Sequence, residues 1–129
     1  MTKRINISSG APWENVVGYS RAVRVGNHIE VSGTIASEQG EIVGRGDAYA
    51  QTLCILEKIR EVLEDAGASI SDVIRTRMYV TDIRLWEDVG RAHGEYFNEI
   101  MPATSMVEVA HLIEPHYLVE IEATAIVNN

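Results

Sequence analysis

The feature that most constrains the fold is a long segment with helical periodicity that follows Asp47. Asp47 is a suitable N-cap, and Gly67 is a suitable residue to end the helix. Between them the apolar residues recur every three or four positions, as on one face of an α-helix: Tyr49, Leu53, Leu56, Ile59, Leu63 and Ala66. A helix with a single apolar stripe has to cover another layer, and we expect that layer to be a β-sheet.

Alternating apolar and polar residues predict the strands of this sheet. Residues 20–25 and 28–36 flank Gly26-Asn27 and predict a tight β-hairpin. Further strands are expected at residues 4–8, 73–82, 103–112 and 116–127, the last two antiparallel.

A second amphipathic helix is predicted over residues 84–99, and residues 8–18 and 38–46 are expected to be loops. The side chains expected to face inward from this helix are Trp86, Val89, His93, Tyr96 and Phe97. The chain is therefore expected to form an α+β fold with two helices on one face of an antiparallel or mixed sheet.

Length and charge limit the classes of function. With 129 residues the chain is expected to form a single domain over residues 1–129. A formal net charge of −8 opposes binding to nucleic acid, which depends on Lys and Arg to neutralise phosphates. There is no long apolar stretch for a membrane span and no apolar segment for a signal peptide, and the single cysteine, Cys54, suits a reducing compartment. Cytoplasmic localisation is expected.

Several motifs, in order along the chain, resemble one family. GYSRAVRVGNHIEVSGTIA (18–36) resembles an N-terminal block with Gly-Pro-Tyr-Ser followed by a strand that ends in Val-Ser-Gly-Gln. Residues 51–82 resemble the long helix and next strand of the same family. PATSMVEVAHL (102–112) and VEIEATAIV (119–127) resemble its C-terminal signature, Pro-Ala-Arg-Ser-x-Val-Glu-Val-Ala followed by Glu-Ile-Glu-Ala. The chain is identified as a member of the Rid (RidA/YjgF) family, also called the endoribonuclease L-PSP family.

This resemblance implies a chorismate-mutase-like fold that assembles as a homotrimeric barrel, with helices outside and small-molecule clefts between subunits. In the deaminating members an arginine of Pro-Ala-Arg-Ser holds the carboxylate of a 2-imino or 2-enamino acid. A tyrosine lines the site and a glutamate positions water, and the products are a 2-oxo acid and ammonia. The resemblance implies no cofactor.

Carried onto this chain, the resemblance assigns catalytic roles to Tyr19 and Glu120. It assigns substrate contacts to Ser32, Gly33 and Glu108, and also to Thr34 and Thr104. Trp13, in the loop before Tyr19, is a further candidate substrate contact. Three positions differ from the family pattern: Thr104 replaces the arginine, Thr34 replaces a glutamine, and Gly90 replaces an asparagine. A threonine hydroxyl cannot hold a carboxylate bidentately as a guanidinium does. Recognition of the substrate is therefore expected to be altered.

The same residues also have structural interpretations. Glu120 and Glu122 alternate and would face solvent on a strand with one wet face. Tyr19 could cap the hairpin, and Trp13 could cover either a cleft or the core. Thr104 shares a strand face with Met106 and Glu108, which fits a pocket or a subunit interface.

No metal site is expected, because the histidines have no ligand spacing, and Cys54 is expected to be a buried, inert thiol.

Three functions compete at this stage. The first is a hydrolytic deaminase with altered recognition, in which Arg21, Arg24 or Arg91 could supply a new carboxylate anchor. The second is a noncatalytic trimer that binds or senses a small molecule. The third, endoribonuclease or translation inhibition, follows from the family's other name and is disfavoured by the acidic charge.

Overall fold

A computed structural model describes residues 3–128, so residues 1–2 and 129 of the predicted domain lie outside the described part. The elements in chain order are β1 (Arg4–Ile7), α1 (Pro12–Val17), β2 (Ala22–Val25), β3 (His28–Thr34), β4 (Ser37–Glu38), β5 (Glu41–Ile42), α2 (Ala48–Asp65), β6 (Val73–Val80), α3 (Trp86–Phe97), β7 (Ala103–Glu108) and β8 (Val119–Ile126). Within residues 3–128, no helix combines the length and the apolar character that a membrane crossing requires.

Six of the strands form one mixed sheet in the order β1-β2-β3-β8-β6-β7. The β6–β7 pair is parallel, and the other neighbouring pairs are antiparallel. Helices α2 and α3 pack against each other, and both contact the same face of the sheet. The α+β fold with two helices on one face of a mixed sheet is thus confirmed.

Helix α2 forms as its sequence predicts. The Asp47 side chain accepts a hydrogen bond from the backbone N–H of Ala50 (3.0 Å), and Gly67 follows the helix with a left-handed φ of 84°. The apolar stripe packs between α3 and the sheet, although Tyr49 and Leu53 are only half-buried. The largest fully buried residues of this core include Ile55, Leu56, Ile59 and Leu63 from α2, Ile29 and Ile121 from the sheet, and Phe97 from α3.

Two predicted loops contain regular structure. Residues 12–17 form the short helix α1, which starts at a proline and ends at Gly18 with a φ of 87°. Proline suits the first helical turn, and glycine suits the left-handed residue that ends a helix. Residues 38–46 include most of a small hairpin, β4–β5. The loop prediction was wrong in both places because elements of two to six residues are too short to show a periodicity.

The C-terminal strands are shorter than predicted and do not pair with each other. β7 ends at Glu108 and β8 begins at Val119, and they flank β6 on opposite sides while running in opposite directions. In α3 the inward prediction fails for Trp86, which begins the helix and is 57% exposed, whereas Val89, His93 and Phe97 are buried. An alternating sequence pattern shows where a strand lies in the chain, but it does not show which strands pair with it.

One buried polar residue ties α2 to the chain that enters β8. Gln51 is fully buried, and its side-chain NH₂ donates to the carbonyl oxygens of His116 (2.9 Å) and Gly44 (3.2 Å). Its side-chain oxygen accepts from the N–H of Leu118 (2.8 Å). A single amide therefore satisfies three backbone groups of two irregular segments.

We expect Gln51→Leu to lower the free energy of unfolding by about 2–4 kcal/mol, because it leaves these backbone groups without partners in a dry environment. Urea unfolding at one fixed protein concentration measures the change, since an oligomer's stability depends on concentration. Glu61→Gln, at an exposed position of the same helix, is the control and should change stability by less than about 0.5 kcal/mol. Equal effects of the two substitutions would contradict this role of Gln51.

Candidate active site

A cavity of about 490 Å³ opens beside the end of β3. The polar residues that line it are Ser9, Tyr19, Arg21, Ser32, Ser37, Lys58, Glu120 and Glu122, together with Gly33. The apolar lining residues are Ala11, Trp13, Val17, Ile35 and Ile113. Pockets that bind small molecules combine apolar walls with convergent polar groups, and both are present in this cavity.

A β-bulge shapes the floor of the cavity. Val31 pairs with Ala123 and Thr34 pairs with Ile121, so β3 has one more residue than β8 between these two pairs. Such an insertion bends the strand and redirects side chains. It places Ser32 and Gly33 at the cavity, while the next residue, Thr34, turns to the core, where it is 1% exposed and donates to the Ser32 carbonyl (2.8 Å).

Glu120 lies on β8 directly over Gly33. A Cβ atom built on Gly33 would collide with the Oε2 atom of Glu120, so only glycine leaves the carboxylate in this position. Burial raises the pKa of Glu120, the neighbouring Glu122 raises it further, and Arg21 opposes the shift. Glu122 is held differently, because it accepts a hydrogen bond from the hydroxyl of Tyr79 (2.7 Å).

Arg21 approaches Gly33 from the other side. Its Nη2 atom donates to the Gly33 carbonyl oxygen (2.6 Å), and its guanidinium lies 5.9 Å from the centre of the Tyr19 ring. Burial lowers the pKa of Arg21, and Tyr19, Glu14 and Glu120 counteract the shift. The Nε atom of Arg21 is buried and has no hydrogen-bond partner among residues 3–128.

Lys58 reaches the same cavity from α2. Its ammonium group donates to the carbonyl oxygens of Ile35 and Ser37 (2.9 Å each) and to the Ser37 hydroxyl (3.3 Å). Burial lowers the pKa of Lys58, and the positive charge of Arg21 acts in the same direction. Sequence reasoning missed Lys58, because nothing in a helix sequence shows that a lysine will bind backbone carbonyls more than twenty residues away.

The wall of the cavity is fixed by a buried carboxylate. Glu14 accepts hydrogen bonds from the Ser8 hydroxyl (2.7 Å), the Ser9 hydroxyl and the Ser9 N–H (3.1 Å). Burial raises the pKa of Glu14, but these hydrogen bonds outweigh burial and hold it below its usual value. The contacts fix α1, which carries Trp13 at the edge of the cavity. Glu14 is thus structural, while Trp13 is 49% exposed beside the cavity rather than packed in the core.

Thr104 and Glu108 lie elsewhere in the single chain, on the edge strand β7. The Thr104 hydroxyl contacts the Thr76 hydroxyl (2.7 Å), which contacts Nε2 of His93 (2.8 Å). Burial lowers the pKa of His93. Glu108 accepts a hydrogen bond from the N–H of Ile83 (2.8 Å). Neither residue lines the cavity of its own chain.

Five of the predicted site residues come together at the cavity, namely Trp13, Tyr19, Ser32, Gly33 and Glu120. The other three, Thr34, Thr104 and Glu108, do not line it.

Only one of the arginines considered as a new anchor lies at the cavity. Arg24 donates to the carbonyl oxygens of Gly26 (2.8 Å) and Ala66 (2.7 Å), and Arg91 stacks over the Tyr49 ring at 4.0 Å. Arg21 lines the cavity together with Glu120. The hypothesis that Arg24 or Arg91 supplies the carboxylate anchor therefore has no support from the structure.

The remaining candidate groups show no site of their own. Among residues 3–128, no three His, Cys, Asp or Glu side chains converge closely enough to hold a metal ion. Cys54 is half-buried rather than fully buried, its thiol points to a Glu38 oxygen (3.9 Å), and burial raises its pKa.

The α+β fold thus brings a carboxylate and a desolvated guanidinium into one cavity. The model of the endoribonuclease L-PSP family matches residues 10–127, and the chain belongs to this family, the Rid or YjgF family. A RutC family protein of Pyrococcus abyssi is 39% identical over 97% of this chain and 98% of its own. A 3-aminoacrylate deaminase RutC of Acinetobacter baylyi is 34% identical over 97% of this chain and 98% of its own. The crystal structure of a Mycobacterium tuberculosis member of the YjgF/YER057c/UK114 family is 50% identical, has a TM-score of 0.89, and aligns over 97% of this chain and 100% of that one.

We expect Glu120→Gln to raise the free energy of unfolding at neutral pH. Burial raises the pKa of Glu120 in the folded protein, so its ionisation opposes folding. The penalty is zero at pH values below the unfolded pKa of about 4.3, because Glu120 is then protonated in both states. It grows as the pH rises from there toward the folded pKa, and it is complete above the folded pKa.

The measurement is urea unfolding of both proteins over a series of pH values at one protein concentration. The advantage of Glu120→Gln should be largest near neutral pH and should vanish on acidification. Glu41→Gln, at an exposed position, is the control for loss of a surface charge. A difference between wild type and Glu120→Gln that stays constant with pH would show that Glu120 ionises as freely in the folded protein as in the unfolded chain.

Proposed function

We propose that the protein is a hydrolytic deaminase of the Rid type, which converts a small enamine or imine into a carbonyl compound and ammonia. The observation that carries the proposal is the Glu120 carboxylate, held over Gly33 in a cavity with its pKa raised by burial. A general base works best when its pKa approaches the working pH. The relative named 3-aminoacrylate deaminase RutC, 34% identical over almost the whole chain, supports the same type of reaction.

The proposed chemistry uses Glu120 twice. An enamine substrate first tautomerises to the imine. Glu120 then accepts a proton from a water molecule while the water oxygen bonds to the imine carbon, and it passes this proton to the nitrogen, which gives a neutral carbinolamine. In the second use Glu120 accepts the hydroxyl proton of the carbinolamine and delivers it to the amino nitrogen, so the C–N bond breaks and ammonia leaves as the carbonyl group forms. Tyr19, which lines the cavity beside Arg21, shapes the pocket around the reacting atoms.

A homotrimer accounts for the positions of two predicted residues that lie away from the cavity. Thr104 and Glu108 lie on β7, an edge strand of the six-stranded sheet, whereas Glu120 lies at the cavity. In a closed assembly, the β7 side of one subunit covers the open cavity of its neighbour, and the edge is no longer exposed. Each complete cleft then contains Glu120 and Tyr19 from one subunit and Thr104 from the next.

The test is a deamination assay in which a dehydratase generates 2-aminoacrylate and release of the 2-oxo acid is followed. We expect wild type to accelerate release and Glu120→Gln to lose about 10²–10⁴-fold of this activity, the usual contribution of a general acid–base group. Thr104→Arg, run in parallel, restores the family's arginine. A silent wild type with an active Thr104→Arg would mean that recognition has diverged on a competent scaffold. Silence of both, with a metabolite retained but not consumed, would instead favour a noncatalytic binding trimer.

Mixing two inactive variants tests the shared cleft. Glu120→Gln removes the base, and Thr104→Trp is chosen to block the cleft from the neighbouring subunit. After the two variants are unfolded and refolded together, about one quarter of the clefts of random trimers contain both intact residues, because each cleft draws one residue from each of two subunits. We expect about that fraction of wild-type activity to return. A mixture no more active than its components, or a monomer in sedimentation at micromolar concentration, would contradict the shared cleft.

A further inference from the structure

The guanidinium of Arg21 is a partly buried cation without a paired anion. Among residues 3–128, no carboxylate lies within salt-bridge distance of it, and its one hydrogen bond goes to the Gly33 carbonyl. Its Nε atom is buried and has no hydrogen-bond partner in the described part of the chain. A charge removed from water is costly unless it is paired, so this group gains from an incoming anion. A carboxylate suits it best, because the planar guanidinium binds two carboxylate oxygens at once.

Lys58 adds positive charge to the cavity, but its N–H groups already donate hydrogen bonds within the protein. An ammonium group has three N–H donors, and the three hydrogen bonds to Ile35 and Ser37 occupy them. Lys58 therefore strengthens the positive potential at this end of the cavity, while the directional contacts to an anion fall to Arg21.

Arg21 and Glu120 both contact Gly33, but they contact different atoms of it. Nη2 of Arg21 binds the Gly33 carbonyl, and the Glu120 carboxylate lies against the Gly33 Cα. Glu120 lies beyond salt-bridge distance of Arg21, so it does not pair with the guanidinium. A substrate carboxylate can therefore occupy Arg21 while Glu120 faces the adjacent reacting carbon.

An apolar wall faces these charges. Trp13, Val17 and Ile113 all line the cavity and are 49%, 72% and 64% exposed. Binding is favoured when a ligand removes such exposed apolar surface from water. A cavity of about 490 Å³ also has room for more than a three-carbon acid. The wall thus matches an apolar substituent attached to the carboxylate-bearing fragment.

From these contacts we propose that Arg21 is the carboxylate anchor and that Trp13, Val17 and Ile113 select acids with an aromatic or branched aliphatic substituent. The inference rests on the proposed function for the identity of the reacting group, but not for the binding preference. The ligand class is an amphipathic 2-imino or 2-oxo acid, with its charge on Arg21 and its substituent on the Trp13 wall.

The test uses equilibrium binding of stable probes to the full-length protein, so it needs no turnover. Trp13 and Trp86 are the two tryptophans of the chain, and Trp86→Phe leaves Trp13, at the cavity, as the only tryptophan whose fluorescence reports binding. The probes are phenylpyruvate, pyruvate without the ring, and phenylacetone, in which a methyl group replaces the carboxylate. We expect phenylpyruvate to bind at least tenfold more tightly than either of the other two.

Two substitutions separate the two halves of the site. Arg21→Gln should remove the preference for phenylpyruvate over phenylacetone and leave phenylacetone binding unchanged, and Arg21→Lys should restore part of it. Trp13→Ala, followed by calorimetry, should remove the preference for phenylpyruvate over pyruvate. Arg45→Gln, which removes an exposed arginine elsewhere, is the matched charge control and should change neither ratio. Each comparison is a ratio within one variant, so a partial loss of folded protein cancels.

Three outcomes would overturn the proposal. Unchanged ratios in Arg21→Gln would remove Arg21 as the anchor. A Trp13→Ala variant that weakens the assembly in sedimentation, with no change in ligand preference, would assign the wall to a subunit contact. Equal affinity of wild type for all three probes would reject the ligand class. If the binding pattern holds and deamination fails, the anchor stands and the catalytic proposal falls.

Discussion

The candidate site depends on one extra residue in β3. The bulge between Val31 and Thr34 allows Ser32 and Gly33 to leave the regular pleat, so the strand presents backbone rather than a side chain beneath Glu120. Without the insertion, the regular alternation would continue and the Gly33 carbonyl would not be offset toward Arg21. The bulge therefore determines both the space for the carboxylate and the hydrogen bond that orients the guanidinium.

Burial then decides the chemistry of the charged groups. Arg21, Lys58 and Glu120 are all partly withdrawn from water, and for each of them burial is the largest cause of the pKa shift. Each shift disfavours the charged form, because a low-dielectric environment solvates ions poorly. Lys58 offsets this cost with three hydrogen bonds, whereas Arg21 has one and Glu120 lies close to Glu122. The groups with the fewest partners are the ones available to a ligand.

The two strands that flank β6 contribute different parts of the predicted site. β8 brings Glu120 to the cavity, and β7 carries Thr104 on the side of β6 that faces α3, where Thr76 and His93 form a hydrogen-bonded chain with it. β7 is an edge strand, so no further strand among residues 3–128 pairs with its outer side, and the proposed trimer places a second copy of the chain there. Motifs that are close in the family signature are thus distributed over opposite sides of one strand.

The sequence by itself determined the elements whose signals are local. The helix after Asp47, the hairpin at Gly26-Asn27 and the family motifs around Tyr19 and Glu120 are all readable within a few residues, because caps, turns and periodicity are short-range effects. Only the tertiary structure decided the strand order, the bulge at Gly33 and the meeting of Arg21 with Lys58 and Glu120. These depend on which distant segments pair and in what register, and that choice is made by the packing of the whole chain rather than by any one segment.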